Sequence, residues 1–220
     1  MPGEKLVYFV RHGEAAHNVD SAAFSTPDNP LTPRGRGQAS TTLRACLRSI
    51  VSDAGVPFDA VVTSPMTRAI ETCLYSTDGL LSPGVVPQVE PLCTERGSSV
   101  CDRGSPRAKL QARFPTLNFD VLGTDDAWWD GDEERYGPDS NECDYVQHAR
   151  IVSARALALA ERLDSLAAAR VLVFGHAGIF RALLCWHFRN CEVAVYHWPP
   201  RGFPPGSPVR SWDGTTISKL

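Results

Sequence analysis

The stretch Lys5-Leu6-Val7-Tyr8-Phe9-Val10-Arg11-His12-Gly13-Glu14 is the part of this chain that decides its fold. Residues 6–10 are an unbroken apolar run of mainly β-branched and aromatic side chains, which is typical of a strand buried on both faces. Open α/β sheets bind their ligands at the carboxyl ends of their strands. The stretch therefore predicts a central strand that brings Arg11 and His12 to a binding site.

Two further apolar runs end in a similar way. Residues 171–174 are followed by Gly175-His176-Ala177-Gly178 and then by a segment compatible with a helix. Residues 59–63 lead into Ser64-Pro65, which suit the N-cap and first position of a helix and would place Arg68 one turn into it. A lone histidine after a strand is more often a buried residue bound to a backbone carbonyl. Two histidines and two arginines at the ends of parallel strands instead predict a shared site.

Three motifs therefore occur in order along the chain: Arg11-His12-Gly13-Glu14 with Asn18, Ser64-Pro65-x-x-Arg68-Ala69-x-x-Thr72, and Gly175-His176-Ala177-Gly178. Together they resemble the histidine phosphatase superfamily, which includes the cofactor-dependent phosphoglycerate mutases. The resemblance runs from the first strand to beyond residue 180 and so covers most of the chain. It implies an α/β fold, namely a three-layer αβα sandwich with a mostly parallel central sheet.

The resemblance also implies a function and the roles of two residues. It favours a phosphomonoester hydrolase of the phosphatase-type branch, working through a phosphohistidine intermediate on His12. In this family an acidic residue in a loop donates a proton to the leaving group and then serves as the base. Glu95, within Pro91-Leu92-Cys93-Thr94-Glu95-Arg96-Gly97, is the matching position, and Glu14 and Asp102 are the alternatives.

The chemistry of a phosphate monoester explains the remaining residues. Its dianion repels nucleophiles, so catalysis requires positive charge around the phosphoryl oxygens. Arg11 and Arg68 can each offer paired N–H donors that match phosphate geometry. His176, the amide of Ala177 at a helix start and the side chain of Asn18 are further predicted donors. Because the arginines supply the charge, we expect neither a metal ion nor another cofactor.

Two alternatives remain open at this stage. Mutases of the family resemble one another at Glu-Arg-x-Tyr-Gly and His-Gly-Asn, whereas this chain has Glu95-Arg96-Gly97-Ser98 and His176-Ala177-Gly178. These differences favour a phosphatase, with mutase-type phosphoryl transfer as the runner-up. A non-catalytic phosphate-binding protein is less favoured, because both histidines are kept. The substrate is expected to be a phosphorylated small molecule, whose identity the sequence does not reveal.

Composition limits the other partners. The chain has 220 residues, 43% of them hydrophobic and 21% charged, which fits an ordinary globular protein. A net charge of −3 gives no general affinity for nucleic acid or anionic membranes, and no apolar run is long enough for a membrane span. The start, residues 1–5, lacks the apolar segment of a signal peptide, so we expect none. The seven cysteines include no Cys-x-x-Cys pair, so we expect reduced thiols in a reducing compartment.

The chain is expected to form one catalytic domain over residues 1–198. Within it we predict a helix from Pro33 to about Asp53, an edge strand over residues 85–89, a helix from an Asp139/Glu142 capping box to about Ala169, and a last strand over residues 191–198. Residues 96–140 lack periodicity and are predicted to be an irregular excursion. Its Trp128-Trp129 pair could close over substrate as part of a lid, or only anchor a flap to the core.

Residues 199–220 form a tail rich in proline, glycine and serine. It ends in Ser218-Lys219-Leu220, a tripeptide that peroxisomal import receptors read as an address. We therefore expect an import receptor as a partner and localisation in a peroxisome or a related organelle, or otherwise in the cytoplasm. The oligomeric state cannot be predicted.

Overall fold

Strand β1 (Lys5–Arg11) is an interior strand of the sheet, as its apolar sequence predicts. The computed structural model describes residues 5–95, 99–124, 126–129, 144–199, 208, 210–212 and 217–219. The further strands in these ranges are β2 (Ala60–Thr63), β3 (Gln88–Val89), β4 (Arg170–Gly175), β5 (Val193–Trp198), β6 (Arg210–Trp212) and β7 (Ile217–Lys219). They form a sheet in the order β3-β2-β4-β1-β5-β6-β7. Strands β3, β2, β4 and β1 are parallel, whereas β5, β6 and β7 continue the sheet in antiparallel pairs.

Helices cover both faces of this sheet. They are α1 (Pro33–Gly37), α2 (Arg44–Ala54), α3 (Thr67–Thr77), α4 (Arg107–Arg113), α5 (Asp144–Ser165) and α6 (Ala177–Leu184). Short 3₁₀ turns lie at Ala16–Asn18, Ser21–Ser25, Pro91–Cys93, Val100–Asp102 and Asp120–Leu122. In the described part of the chain, no helix combines the length and the apolar character that crossing a bilayer requires.

Successive side chains of β1 point to opposite faces of the sheet and contribute to a separate hydrophobic core on each face. Val7 and Phe9 point to one face, where they are part of the cluster that includes α5 and α6 residues. Tyr8 and Val10 point to the opposite face and pack in the cluster that includes residues of α2 and α3. A strand apolar on both faces is thus needed to hold two helical layers. The predicted three-layer αβα sandwich is confirmed.

The helix predicted from Pro33 is confirmed at both ends. Thr32 caps its start by accepting a hydrogen bond from the Gly35 N–H at 2.9 Å, and Gly55 ends it in a left-handed conformation with φ of 68°. Between α1 and α2 the backbone passes through a π-helical segment, Gln38–Leu43, that the sequence pattern did not indicate.

The start of α3 differs from the prediction. Ser64 and Pro65 precede the helix, Met66 is the N-cap and Thr67 the first helical residue. The capping group comes from far away in the sequence, since the Asp28 carboxylate accepts hydrogen bonds from the Thr67 N–H at 2.8 Å and the Thr67 hydroxyl at 2.7 Å. Arg68 therefore lies in the first turn of α3.

Three other elements begin or end at residues different from those predicted. The predicted strand over residues 85–89 is reduced to β3, but its edge position is confirmed. Helix α5 ends at Ser165 rather than near Ala169, and its predicted capping residues, 139 and 142, lie outside the described residues. The last predicted strand begins at Val193, because Cys191 has a positive φ of 59° that a strand does not accommodate.

The described part of the predicted excursion is not irregular throughout. It contains α4, whose Leu110 packs with Phe114 and Phe119 against Ile70 of α3. Trp128 is packed against this cluster, and its indole N–H donates to the Ser105 carbonyl at 2.9 Å. These contacts favour the anchoring role for Trp128, and the lid stays a prediction.

The predicted tail contributes to the sheet. Strand β6 pairs with β5, and the backbone of β7, which includes Ser218 and Lys219, pairs with β6. Leu220 lies outside the described residues. The sequence prediction of a tail therefore missed two short strands that extend the sheet on the side of β5.

Gly35 provides a test of how α1 packs on the loop after β1. A Cβ at this position would lie 2.0 Å from the Glu14 carbonyl oxygen, whereas a Cβ at Gly37 would meet nothing within 4 Å. We expect Gly35→Ala to lower the free energy of unfolding by about 1–3 kcal/mol through overpacking. The matched change Gly37→Ala should raise it by about 0.5–1 kcal/mol through helix propensity. Urea unfolding measures both, and equal effects would contradict the close approach.

Candidate active site

The carboxyl ends of three adjacent parallel strands bring the predicted residues together. Arg11 at the end of β1 lies opposite Gly175 of β4, and Thr63 of β2 lies opposite Phe174 of the same strand. The residues that follow these pairs, His12, Ser64 and His176, therefore emerge at one edge of the sheet. The rings of His12 and His176 have centroids 5.1 Å apart.

The position of His12 determines which of its nitrogens can react. Its side chain is buried, and Nδ1 lies 2.6 Å from the carbonyl oxygen of Gly13. Because a carbonyl only accepts, Nδ1 carries the hydrogen and the lone pair of the neutral ring is on Nε2. The Gly13 N–H in turn donates to the Thr72 hydroxyl at 3.0 Å, which fixes this turn against α3. Nε2 is therefore the nitrogen of His12 that could act as a nucleophile.

His176 is held by Ser64, a contact that the sequence did not predict. The Nε2 atom of His176 lies 2.8 Å from the Ser64 Oγ, which also accepts from the Met66 N–H at 3.2 Å. If the hydroxyl donates to Nε2, Nδ1 of His176 carries the hydrogen. That Nδ1 atom is buried without a hydrogen-bond partner among the described residues. It is therefore a donor available to an anionic ligand.

Both predicted arginines retain donors for an anion. The side chain of Arg68 is fully buried, donates to the Cys101 carbonyl at 3.0 Å and pairs with Asp102 at 3.3 Å. Arg11 donates to the Phe188 carbonyl at 2.8 Å. The Nε atoms of both arginines are buried with no hydrogen-bond partner in the described part of the chain. Burial lowers the pKa of Arg11; Glu95 raises it and Arg68 lowers it further, so all three charges act at one place.

Glu95 also lies at this site. One of its carboxylate oxygens accepts a hydrogen bond from the Gly178 N–H at 2.8 Å, in the first turn of α6. Arg155 of α5 binds the backbone carbonyls of Thr94 and Glu95 at 3.0 and 2.5 Å and so fixes the loop. This role of Arg155 was not predicted, because nothing in the spacing links residue 155 to residue 95.

The alternative carboxylates are engaged elsewhere. Glu14 accepts from the Thr32 hydroxyl at 2.7 Å and forms an ion pair with Arg34 at 3.3 Å, so it joins the β1 loop to α1. Asp102 is paired with Arg68. Glu95 accordingly remains the best candidate for the acid.

The two predicted neutral donors lie beside the histidines. The Asn18 Oδ1 accepts from the Ala15 N–H at 3.0 Å and from Asn190 at 3.2 Å, and the same Asn190 amide donates to the His12 carbonyl at 3.0 Å. With Oδ1 so occupied, the Asn18 amide nitrogen is the group left to act as a donor. Ala177 is the first residue of α6 and directly follows His176, so its amide lies at the positive end of the helix.

A third imidazole lies at the site and was missed in the sequence. The ring of His17 is 5.8 Å from that of His12, and its Nδ1 is buried with no hydrogen-bond partner among the described residues. Its place next to Asn18 was the signal that could have revealed it. Burial, followed by Arg68 and Arg11, lowers the pKa of His17 to about 4.

The same causes keep the other two rings neutral. Burial lowers the pKa of His12 well below its ordinary value, and Arg68 and Arg11 lower it further. Burial and then Arg68 lower the pKa of His176 in the same direction. A cluster of neutral imidazoles beside two guanidinium groups can accept a dianion and can supply an unprotonated nucleophile at neutral pH.

Comparison with known proteins identifies the family. The model of the histidine phosphatase superfamily (branch 1) matches residues 7–198. The chain belongs to the histidine phosphatase superfamily. This range contains the three motifs and Glu95, so the resemblance inferred from them is confirmed.

The proteins similar in sequence to this chain include both a phosphatase and a phosphoglycerate mutase. A probable phosphatase of Schizosaccharomyces pombe is 30% identical over 124 residues, which are 56% of this chain and 55% of that protein. A 2,3-bisphosphoglycerate-dependent phosphoglycerate mutase of Methylobacterium radiotolerans is 30% identical over 183 residues, 82% of this chain and 78% of that protein. The chain thus spans about half the length of the yeast relative.

The fold is shared with solved members. An ecdysone phosphate phosphatase from Bombyx mori, solved in complex with tungstate, superposes with a TM-score of 0.56 at 18% identity. The match covers 92% of this chain and 91% of that one. At this identity the likeness concerns the fold alone.

The lowered pKa values predict how stability depends on pH. Unfolded histidines bind protons at about pH 6.5, whereas folded His12, His17 and His176 stay neutral to lower pH. The unfolded state then binds more protons, so the free energy of unfolding should fall as pH decreases below about 6.5. For His17 this contribution should be lost progressively until about pH 4.

Urea unfolding at pH 7.5, 6.5 and 5.5 measures this effect. His17→Asn should make the dependence shallower by up to one proton, because asparagine does not titrate. A wild-type stability that rises on acidification over this range would contradict the neutral cluster.

Proposed function

We propose that this protein hydrolyses phosphomonoesters through a phosphohistidine intermediate at His12. The observation that carries the proposal is the orientation of the His12 ring. Its Nδ1 donates to the Gly13 carbonyl, so that Nε2 has the lone pair, next to His176, the buried guanidinium group of Arg68 and the partly buried one of Arg11. A nucleophile surrounded by donors for phosphoryl oxygens fits phosphoryl transfer better than simple anion binding.

In the first step Nε2 of His12 attacks phosphorus. The P–N bond forms as the bond to the ester oxygen breaks, and the electron pair of that bond goes to the leaving oxygen. Glu95, oriented by the Gly178 N–H, donates the proton that this oxygen needs. Arg11 and Arg68 hold the phosphoryl oxygens, and His176, Asn18 and the Ala177 amide supply further donors in this proposal.

In the second step water replaces the imidazole. Glu95, now a carboxylate, removes a proton from the attacking water, the new P–O bond forms, and the P–N electron pair returns to His12. Inorganic phosphate leaves and Glu95 is again protonated. The chain's own arginines provide the positive charge in both steps.

The choice of hydrolysis over mutase-type transfer rests on the residues after the second histidine. Position 178 is a glycine where the mutases have an asparagine, so the chain has no side-chain amide there for a phosphoglycerate, and the Gly178 N–H binds Glu95. Mutase activity is the second candidate, since a phosphoglycerate mutase is among the similar proteins. Efficient isomerisation of 3-phosphoglycerate with a bisphosphoglycerate primer, and little phosphate release, would favour it.

The role of His12 can be tested by substitution. His12→Asn removes the lone pair from the reactive position and should reduce release of phosphate from 4-nitrophenyl phosphate by at least about a thousandfold. The exposed His187 provides the matched control, and His187→Asn should keep wild-type activity. Acid-labile phosphate on the rapidly quenched wild type, absent from His12→Asn, would identify the intermediate. Equal rates in the two proteins would contradict the nucleophile.

The role of Glu95 can be tested by varying the leaving group. Ethanol is a poor leaving group and needs a proton, whereas 4-nitrophenol leaves without one. Glu95→Gln should therefore lower kcat/KM for ethyl phosphate by about 10²–10⁴-fold, and for 4-nitrophenyl phosphate much less. Glu14→Gln is the matched control, because Thr32 and Arg34 hold that carboxylate, and it should leave the ratio between the two substrates unchanged. An unchanged ratio in Glu95→Gln would instead exclude it as the acid.

We also propose that a peroxisomal import receptor reads Ser218-Lys219-Leu220, which supports localisation in a peroxisome or a related organelle. The support is the tripeptide itself. Reading it requires the receptor to compete with the pairing of β7 to β6. A fluorescent protein fused to the N-terminus should direct the chain to peroxisomes, and deletion of the tripeptide should leave it in the cytosol.

A further inference from the structure

The surface beside the nucleophile is aromatic and apolar. The ring of His17 lies 5.8 Å from His12 on one side and 5.8 Å from Phe24 on the other. Phe24 is 46% exposed although it is a large apolar residue. A continuous path of rings therefore leads from the reactive histidine to solvent.

Two valines extend this surface. Val19 follows the 3₁₀ turn Ala16–Asn18 and is 63% exposed, and Val100, in Val100–Asp102, is 36% exposed. The turn that carries Phe24 contacts both of these segments. Three adjacent segments next to the site thus each carry or border an exposed apolar side chain. Scattered apolar residues are common on protein surfaces, but contiguous ones next to reactive groups mark binding sites.

The geometry of the reaction places the leaving group near these residues. Phosphorus must come within about 3–3.5 Å of the attacking nitrogen of His12. The alcohol attached to the phosphoryl group then extends only a few atoms further. Asp102 in Val100–Asp102 is the partner of Arg68, and this turn contacts the one that bears Phe24, so both turns lie on the side of the site where Arg68 is held.

We propose that His17 and Phe24, with Val19 and Val100 at the rim, form a leaving-group subsite that selects phosphomonoesters of alcohols with an aromatic or apolar group near the ester oxygen. This inference rests on the proposed hydrolase and names the class of its substrate. The neutral ring of His17 adds no charge, and its buried Nδ1 leaves one polar contact for the alcohol. The side chains of Phe24, Val19 and Val100 carry no hydrogen-bond donor, so in this proposal they favour an apolar alcohol over one with a second anionic group.

Two alkyl phosphates with alcohols of similar acidity test the subsite. 2-Phenylethyl phosphate and ethyl phosphate differ only in a phenyl ring, so kcat/KM compares contacts rather than leaving-group chemistry. Wild-type enzyme should prefer the phenylethyl ester by about tenfold or more. Phe24→Ala should lower this preference about fivefold or more, and Phe24→Leu, which keeps an apolar surface, should lower it less.

The matched control is Val56→Ala, an equally exposed apolar residue in the turn after α2. It should leave both the preference and the rates unchanged. A second measurement needs no variant: 2-phenylethanol should inhibit the wild type competitively at concentrations at which ethanol does not. Equal kcat/KM for the two esters, or a preference that survives Phe24→Ala, would overturn the subsite. Failure to release phosphate from either ester or from 4-nitrophenyl phosphate would overturn the proposed hydrolase instead.

Discussion

The parallel pairing of β1 with β4 is the constraint on which the site depends. Its register places Arg11 opposite Gly175, so that the residue after each, His12 and His176, leaves the sheet at the same level. A shift of one residue would send the side chains of β1 to the opposite faces and separate the two rings. The apolar cores on both faces prevent such a shift, because Val7 and Phe9 fit one core, and Tyr8 and Val10 the other. Packing far from the chemistry thereby aligns the reactive groups.

The same arrangement buries the positive charge of Arg68. Arg68 is fully buried and binds the Cys101 carbonyl and Asp102, while its Nε has no hydrogen-bond partner among the described residues. Asp28 stabilises the helix start that carries Arg68, since its carboxylate binds Thr67. Burial lowers the pKa values of the three imidazoles, and the positive charges of Arg68 and Arg11 lower them further. The two arginines thus contribute both to the binding of an incoming phosphate dianion and, after burial, to the neutrality of the imidazoles.

The sequence was sufficient for the fold class and for the convergence of the motifs, because both follow from local patterns. Apolar runs that end in Arg11-His12, Ser64 and His176 specify strands and the edge at which they finish. Long-range contacts were not accessible in this way. Asp28 displaced Ser64 as the capping group of α3, and Ser64 became the partner of His176 instead. Strands β6 and β7 were missed because so short a segment carries little periodicity.

The phosphoryl site and the proposed surroundings of the leaving group come from different parts of the chain. The phosphoryl site is built from strand ends and helix starts, where backbone geometry leaves little freedom. The surroundings of the leaving group come from short 3₁₀ turns, including the one that bears Phe24, and from the segment that bears Val100. Turns of this kind tolerate substitution without disturbing the sheet. In our proposal these turns can therefore change the contacts of the leaving alcohol, while the strand ends that carry His12 and His176 keep the same arrangement.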